Sequence, residues 1–250
     1  MTSRRPPWWP WLGWAALAAG FYLVNIQRLS TAVLSEAFTT AFVLSAAQLG
    51  TLHAAFFAVY AVLQLPTGIV VDRYGSRLTA SVGMATVAAG SLVMAAASGF
   101  AMAIIARVLI GAGASVIFIA ILRYAASWFP PRRFATVAGM TAGVSGIGAI
   151  SAATPLAVLV GTVGVTRSFE LAAVAAAVVA VAIWVVVRRG DVGTQEPQVD
   201  AGGVRTQLRA LLADPDQWLL SLVFFAGNGT TITVMGLWGV PYLVAVYRLS

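Results

Sequence analysis

Apolar residues run through this chain in seven long stretches, about 11–34, 46–71, 79–98, 101–126, 134–160, 168–187 and 217–246. Each reaches or approaches the ~20 residues that a helix needs to cross about 30 Å of hydrocarbon. Lipid offers the backbone no hydrogen-bond partners, so segments of this kind are read as membrane-spanning helices. The polar connections between them are short, with one exception. Residues 188–216 hold Arg188, Arg189, Asp191, Glu196, Asp200, Arg205, Arg209, Asp214 and Asp216, and read as a solvated loop with a short surface helix near 205–213. The first stretch, from Trp11 to Leu34, is too long for a cleaved signal peptide. Trp8, Trp9, Trp11 and Trp14 at its start suit an interfacial aromatic belt.

Composition agrees with that pattern. Hydrophobic residues make up 60% of the chain and charged residues 9%, with a mean hydropathy of +0.90. A soluble domain carries about a quarter charged residues. The absence of cysteine excludes disulfides and thiol chemistry. A net charge of +7 raises the question of nucleic acid, but the arginines are spread over short loops and form no patch. They report orientation instead. With the N-terminus inside, the cytoplasmic segments hold Arg4, Arg5, Arg73, Arg77, Arg123, Arg132, Arg133, Arg188, Arg189, Arg205 and Arg209, and the outer ones only Arg167 and Arg248. That bias predicts a multi-pass protein of the cell membrane with a cytoplasmic N-terminus.

Between the second and third stretches lies Gly68-Ile-Val-Val-Asp72-Arg73-Tyr-Gly75-Ser-Arg77. Two spans turn sharply here, and Gly75 supplies the permissive backbone. The decapeptide resembles the loop signature of the major facilitator superfamily: a glycine, an aspartate four residues on, then Arg-x-Gly-x-Arg. In the fourth span, Arg107-x-x-x-Gly111-x-Gly113 looks like another pattern of that family. The fifth span carries Gly139, Gly143, Gly146 and Gly148, similar to the family's glycine-rich fifth helix. The Gly-Pro pair typical of its antiporters is absent. Small residues at such spacing also let helices approach closely in lipid, so all six glycines are candidates for helix packing.

The resemblance covers about residues 11–250 and implies an all-α helical bundle of six plus six spans, built from inverted repeats. Seven spans are present, five further ones would be expected, and the chain reads as a fragment or a truncated product. The implied organisation is a six-helix bundle over 1–187, a cytoplasmic loop over 188–216 and the first helix of an incomplete second bundle over 217–250. The resemblance further implies that the loop aspartate, Asp72, faces a helix start in the second half. Without that helix, Asp72 is expected to pair locally with Arg73 or Arg77.

Charge inside the membrane is the sharper signal, because it costs several kcal/mol unless solvated or paired. Arg28, His53 and Arg107 lie about 8–9 Å outward from the middle of the first, second and fourth spans, at one level. Asn25 shares a helical face with Arg28 and is expected to point into the same space. In the resembled family the first and fourth helices line the central cavity, so Arg28 and Arg107 there would face water and hold an anion. Snorkelling of Arg28 to the interface and a packing role for His53 are the plain alternatives. No Asp or Glu lies near mid-membrane in the first six spans; Glu36 and Glu170 fall near outer ends, in solvent or beside arginines such as Arg167. In the seventh span Asn228, Thr231, Met235 and Tyr242, with Trp238 nearby, make a polar face suited to a cavity lining.

These observations predict a secondary transporter moving a small solute by alternating access, with an organic anion as the solute class the arginines favour. The alternative is a non-transporting membrane remnant or a regulatory half-transporter. No HExxH, mid-membrane carboxylate pair, nucleotide loop or nucleophile–base pair points to an enzyme. No cofactor or metal is expected. The expected partners are the solute, the bilayer, and either a second polypeptide supplying further spans or a second copy of the chain.

Overall fold

The computed structural model describes residues 8–187 and 212–233. Two compact units divide the chain, Met1–Thr194 and Gln195–Ser250. In the first, the described helices are α1 (Trp9–Val33), α2 (Ser35–Phe42), α3 (Ala46–Ala95), α4 (Phe100–Ser115), α5 (Ile117–Trp128), α6 (Pro131–Ala152) and α7 (Thr154–Val186). The second contributes α8 (Pro215–Thr233), which begins with Asp214 accepting from the Asp216 amide at 3.0 Å, ahead of a proline at the first helical position.

Helix α3 has 50 residues, about 75 Å if straight, which is more than twice the thickness of a bilayer core. It crosses twice because Gly75 breaks it, with φ 77° and ψ 162°. Only glycine adopts that conformation without strain, so the sequence places the reversal at this residue. Thr79 Oγ1 donates to the Gly75 carbonyl at 2.8 Å and ties the new helix start to the turn. The α3 start is fixed by a capping box, in which Ser45 Oγ accepts from the Gln48 amide and Gln48 Oε1 from the Ser45 amide. A second such reversal occurs in α7 at Gly164, φ 81°. Among the described residues, the helices long and apolar enough to cross a membrane are α3, α4–α5 as one 29-residue run, α6 and α7, with α1 and α2 as a fifth if that bent pair is one span.

One break falls at the expected end of the first span, and two fall where the apolar pattern predicts continuity. After Leu34 the chain bends by 68° into α2, whose Phe38 is buried and lies 5.8 Å from Phe169. Between α4 and α5 the helix is interrupted at Val116. After Ala152 it is interrupted again, because Pro155 cannot donate an amide into the preceding turn.

Packing falls into two apolar layers. One, with Leu34, Phe38, Leu52, Met94, Ala103 and Phe169, holds the end where α1 and α2 meet. The other runs from mid-bundle to the opposite end through Leu17, Phe56, Met84, Ile110, Tyr124 and Ile183. At that opposite end Trp11 meets Phe129 edge-on at 4.8 Å, and Tyr124 donates to the Pro10 carbonyl. The tightest seam joins the second half of α3 to α4. A Cβ on Gly113 would overlap the Gly83 carbonyl and lie 2.8 Å from the Val87 amide nitrogen, so a side chain there would force the helices apart.

Candidate functional site

Arg107 is the largest fully buried side chain, at 0% exposure, halfway along α4. Its Nη1 donates to the Gln27 carbonyl at 2.8 Å and to Ser30 Oγ at 3.2 Å, both on α1. Ser30 Oγ in turn donates to the Gln27 carbonyl at 2.9 Å. The Gln27 side chain reaches across to α3, where its Nε2 donates to Ser91 Oγ at 2.8 Å. Ser91 Oγ donates in its turn to the Val87 carbonyl at 2.8 Å. The guanidinium carbon lies 4.9 Å from the centre of the Phe56 ring, against which the cation is attracted. Every one of these neighbours is neutral. The ion pairs among the described residues, Arg123–Asp72 and Arg167–Glu170, do not involve it. Arg107 Nε and Nη2 are buried without a partner. Two unengaged N–H-bearing nitrogens on one fixed cation are what a bidentate oxyanion requires.

The other expected residues are placed unevenly around this centre. Arg28 is half-buried on α1 and makes no hydrogen bond or ion pair among the described residues. His53 lies one turn before Phe56, its ring 5.1 Å from Phe57, with a buried Nδ1 lacking a partner. Asn25 corrects the expectation that it joins Arg28. Its Oδ1 accepts from Ser145 Oγ at 2.9 Å and its Nδ2 donates to the Phe21 carbonyl, so it ties α1 to α6. Asn228 and Thr231 fall outside the described side chains, and Met235, Trp238 and Tyr242 outside the described residues. Gln27, Ser30 and Ser91 were not anticipated, although Gln27 and Ser30 flank Arg28 in an apolar run.

A cavity of about 40 Å³ adjoins the Arg107 cluster, with Gln27, Ser30, Ser168 and Phe169 in its wall. It can hold a water or two and is too small for an organic solute.

At the far end, the turn at Gly75 is arranged differently from expectation. Asp72 pairs with Arg123 of α5 rather than with Arg73 or Arg77. Arg73 lies 5.6 Å from the centre of the Tyr74 ring, and Arg77 lies 4.3 Å from that of Trp184 on α7. A helical residue projects sideways, so Asp72 reaches a neighbouring helix more readily than residues beyond the reversal. The glycines also divide. Gly111 packs on the Phe56 carbonyl, Gly113 on Gly83, and Gly148 on Asn25 and Tyr22. A Cβ on Gly68, Gly139, Gly143 or Gly146 would meet nothing within 4 Å. The three α6 glycines therefore make no close helix contact among the described residues, contrary to expectation, because they lie on a face that no described helix covers.

Comparison with known proteins places this architecture. A family profile described as Major Facilitator Superfamily matches residues 11–250. The chain is 34% identical over 144 residues to a hexuronate transporter of Bacillus subtilis (strain 168), an alignment covering 57% of this chain and 33% of that protein. It is 32% identical over 137 residues to the nitrate/nitrite transporter NrtP of a Picosynechococcus strain, covering 54% of this chain and 24% of that one. These alignments thus span a third or less of the relatives' own length. Among solved structures, the fold resembles a bacterial homologue of the human lysosomal transporter Spinster in an inward-facing, unoccupied conformation. The TM-score is 0.71 at 20% identity, over 97% of this chain and 57% of that one.

Proposed function

The chain belongs to the major facilitator superfamily, a family of multi-pass membrane transporters, and on that footing we propose that it binds and carries a small organic anion by alternating access. Arg107 carries this reading: a fully buried cation with neutral neighbours and two unengaged nitrogens. A bound carboxylate would supply the missing charge and the missing acceptors together. Arg28 and His53 are the further candidates in this unit for the same solute, and Asn228 and Thr231 remain candidates from the sequence. The names of the hexuronate and nitrate/nitrite transporters, both of anions, agree with this class.

Alternating access requires two bundles rocking about a shared site. The unit containing α1–α7 serves as one; the other is a further helical unit, on this polypeptide, on a second one or on a second copy. The arginine distribution supports a cell-membrane protein with its N-terminus and the Gly75 turn in the cytoplasm.

The test is uptake of labelled hexuronates, other sugar acids and nitrate by liposomes holding the complete transporter. Arg107→Gln is expected to reduce uptake of the true substrate tenfold or more, since a charge-assisted hydrogen bond contributes about 1.5–3 kcal/mol. Transport of a neutral or cationic solute only, or full uptake by the variant at equal membrane abundance, would overturn the reading.

A further inference from the structure

The wall of the first unit carries an apolar groove of about 310 Å³, separate from the Arg107 cluster. It opens where the two halves of α3 meet α4. Val70 and Tyr74 come from the first half, Leu78, Val82 and Thr86 from the second, and Val116 from the α4–α5 break. Leu78, Val82 and Thr86 follow at four-residue intervals on one face, so the groove runs along about 12 Å of helix. Its floor is the Gly83–Gly113 contact, where the two backbones meet with no side chain between them. Tyr74 and Val82 are exposed, so the groove is open along its outer side.

One end of the groove is positively charged. The Arg73 guanidinium stands over the ring of Tyr74, which lines the groove, and the neighbouring carboxylate of Asp72 is engaged by Arg123. Among the described residues Arg73 has no acidic partner. An apolar channel about as long as part of one leaflet, ending in an uncompensated arginine at the turn between two spans, complements an amphiphile with a phosphate head. We propose that this groove binds an anionic phospholipid, with one acyl chain along Leu78, Val82 and Thr86 and the phosphate on Arg73.

The full chain in phosphatidylcholine nanodiscs can be tested with a phosphatidylglycerol bearing a photoactivatable acyl chain, and with phosphatidylcholine bearing the same chain. Adducts are then mapped by mass spectrometry. Phosphatidylglycerol is expected to label residues 70–86 about fivefold more than phosphatidylcholine, the preference one arginine confers near an anionic head group. Arg73→Gln should abolish that preference. Val82→Trp, which fills the groove from an exposed position, should remove the adducts with Arg73 intact. Excess soluble glycerol phosphate should displace neither lipid. Equal labelling by the two lipids, insensitivity to both substitutions, or displacement by glycerol phosphate would overturn the proposal.

Discussion

Arg107→Met separates a cation held for structure from one held for a ligand. In the wild type, Nη1 makes two charge-assisted hydrogen bonds, worth about 1.5–3 kcal/mol each, or about 3–6 together. Against them stand Nε and Nη2, buried without partners, at about 1–3 kcal/mol each, or about 2–6 together. The two sums nearly cancel. Methionine removes both at once and fills much of the space with an unbranched chain. Ser30 Oγ keeps its bond to the Gln27 carbonyl, so the substitution strands no acceptor. Stability in detergent should therefore change by no more than about 2 kcal/mol, a shift of roughly 4–8 °C at most for a chain of this size. Arg107→Ala, which leaves a cavity, should cost about 2–5 kcal/mol. Thermal unfolding is then repeated with a saturating anion. Wild type should gain about 2.7 kcal/mol at a hundredfold excess over Kd, and the methionine variant nothing. A loss above about 3 kcal/mol for Arg107→Met without ligand would show a guanidinium already fully compensated, and the argument for a waiting anion site would fail.

Three further outcomes are expected. Gly113→Ala should destabilise by about 1–3 kcal/mol through overpacking against Gly83 and Val87, whereas Gly139→Ala, with open space at its Cβ, should be neutral or gain about 0.4–1 kcal/mol; equal losses in parallel melts would contradict both. A double-mutant cycle of Asp72→Asn and Arg123→Gln should give a coupling of about 0.2–1 kcal/mol that shrinks with salt, because Asp72 is 59% exposed; a coupling above about 2 kcal/mol would point to a desolvated pair. Cysteines placed singly at Arg132 and Thr162, both exposed in a chain without cysteine, should label oppositely with an impermeant thiol reagent in intact cells, Thr162 reacting and Arg132 not. Labelling in the reverse pattern would invert the topology.

The spans were legible because about twenty apolar residues in a row admit few alternatives. The Gly75 turn was legible because glycine and charge coincide there. The bend at Leu34 carries no proline or glycine, and it goes with tertiary packing such as that of Phe38 on Phe169. The site was half legible. A buried arginine announces itself by its cost in lipid, and Arg107 is where that cost is concentrated. Its partners were not readable, because a helix apolar all round has no moment to fix its rotation. Asn25 and Gln27 were thus equally eligible from sequence, and the structure turns Asn25 to α6 and the Gln27 carbonyl to Arg107. Gly139 and Gly143 show the same limit: their spacing marks a surface that a helix can approach, and among the described residues none does.

The reversal at Gly75 also acts as a phase lock between two spans. A longer connection would absorb an inserted or deleted residue by changing its own course. Here one residue makes the turn, so a single insertion would rotate everything from Ser76 to Ala95 by about 100° about its axis. Gly83 would leave Gly113, and a neighbouring side chain would enter the seam where no Cβ fits. The partners of Ser91 and Met84 would be lost in the same movement, although both lie well away from the change. The turn therefore tolerates substitution at its exposed arginine, Arg73, far better than any change in its length.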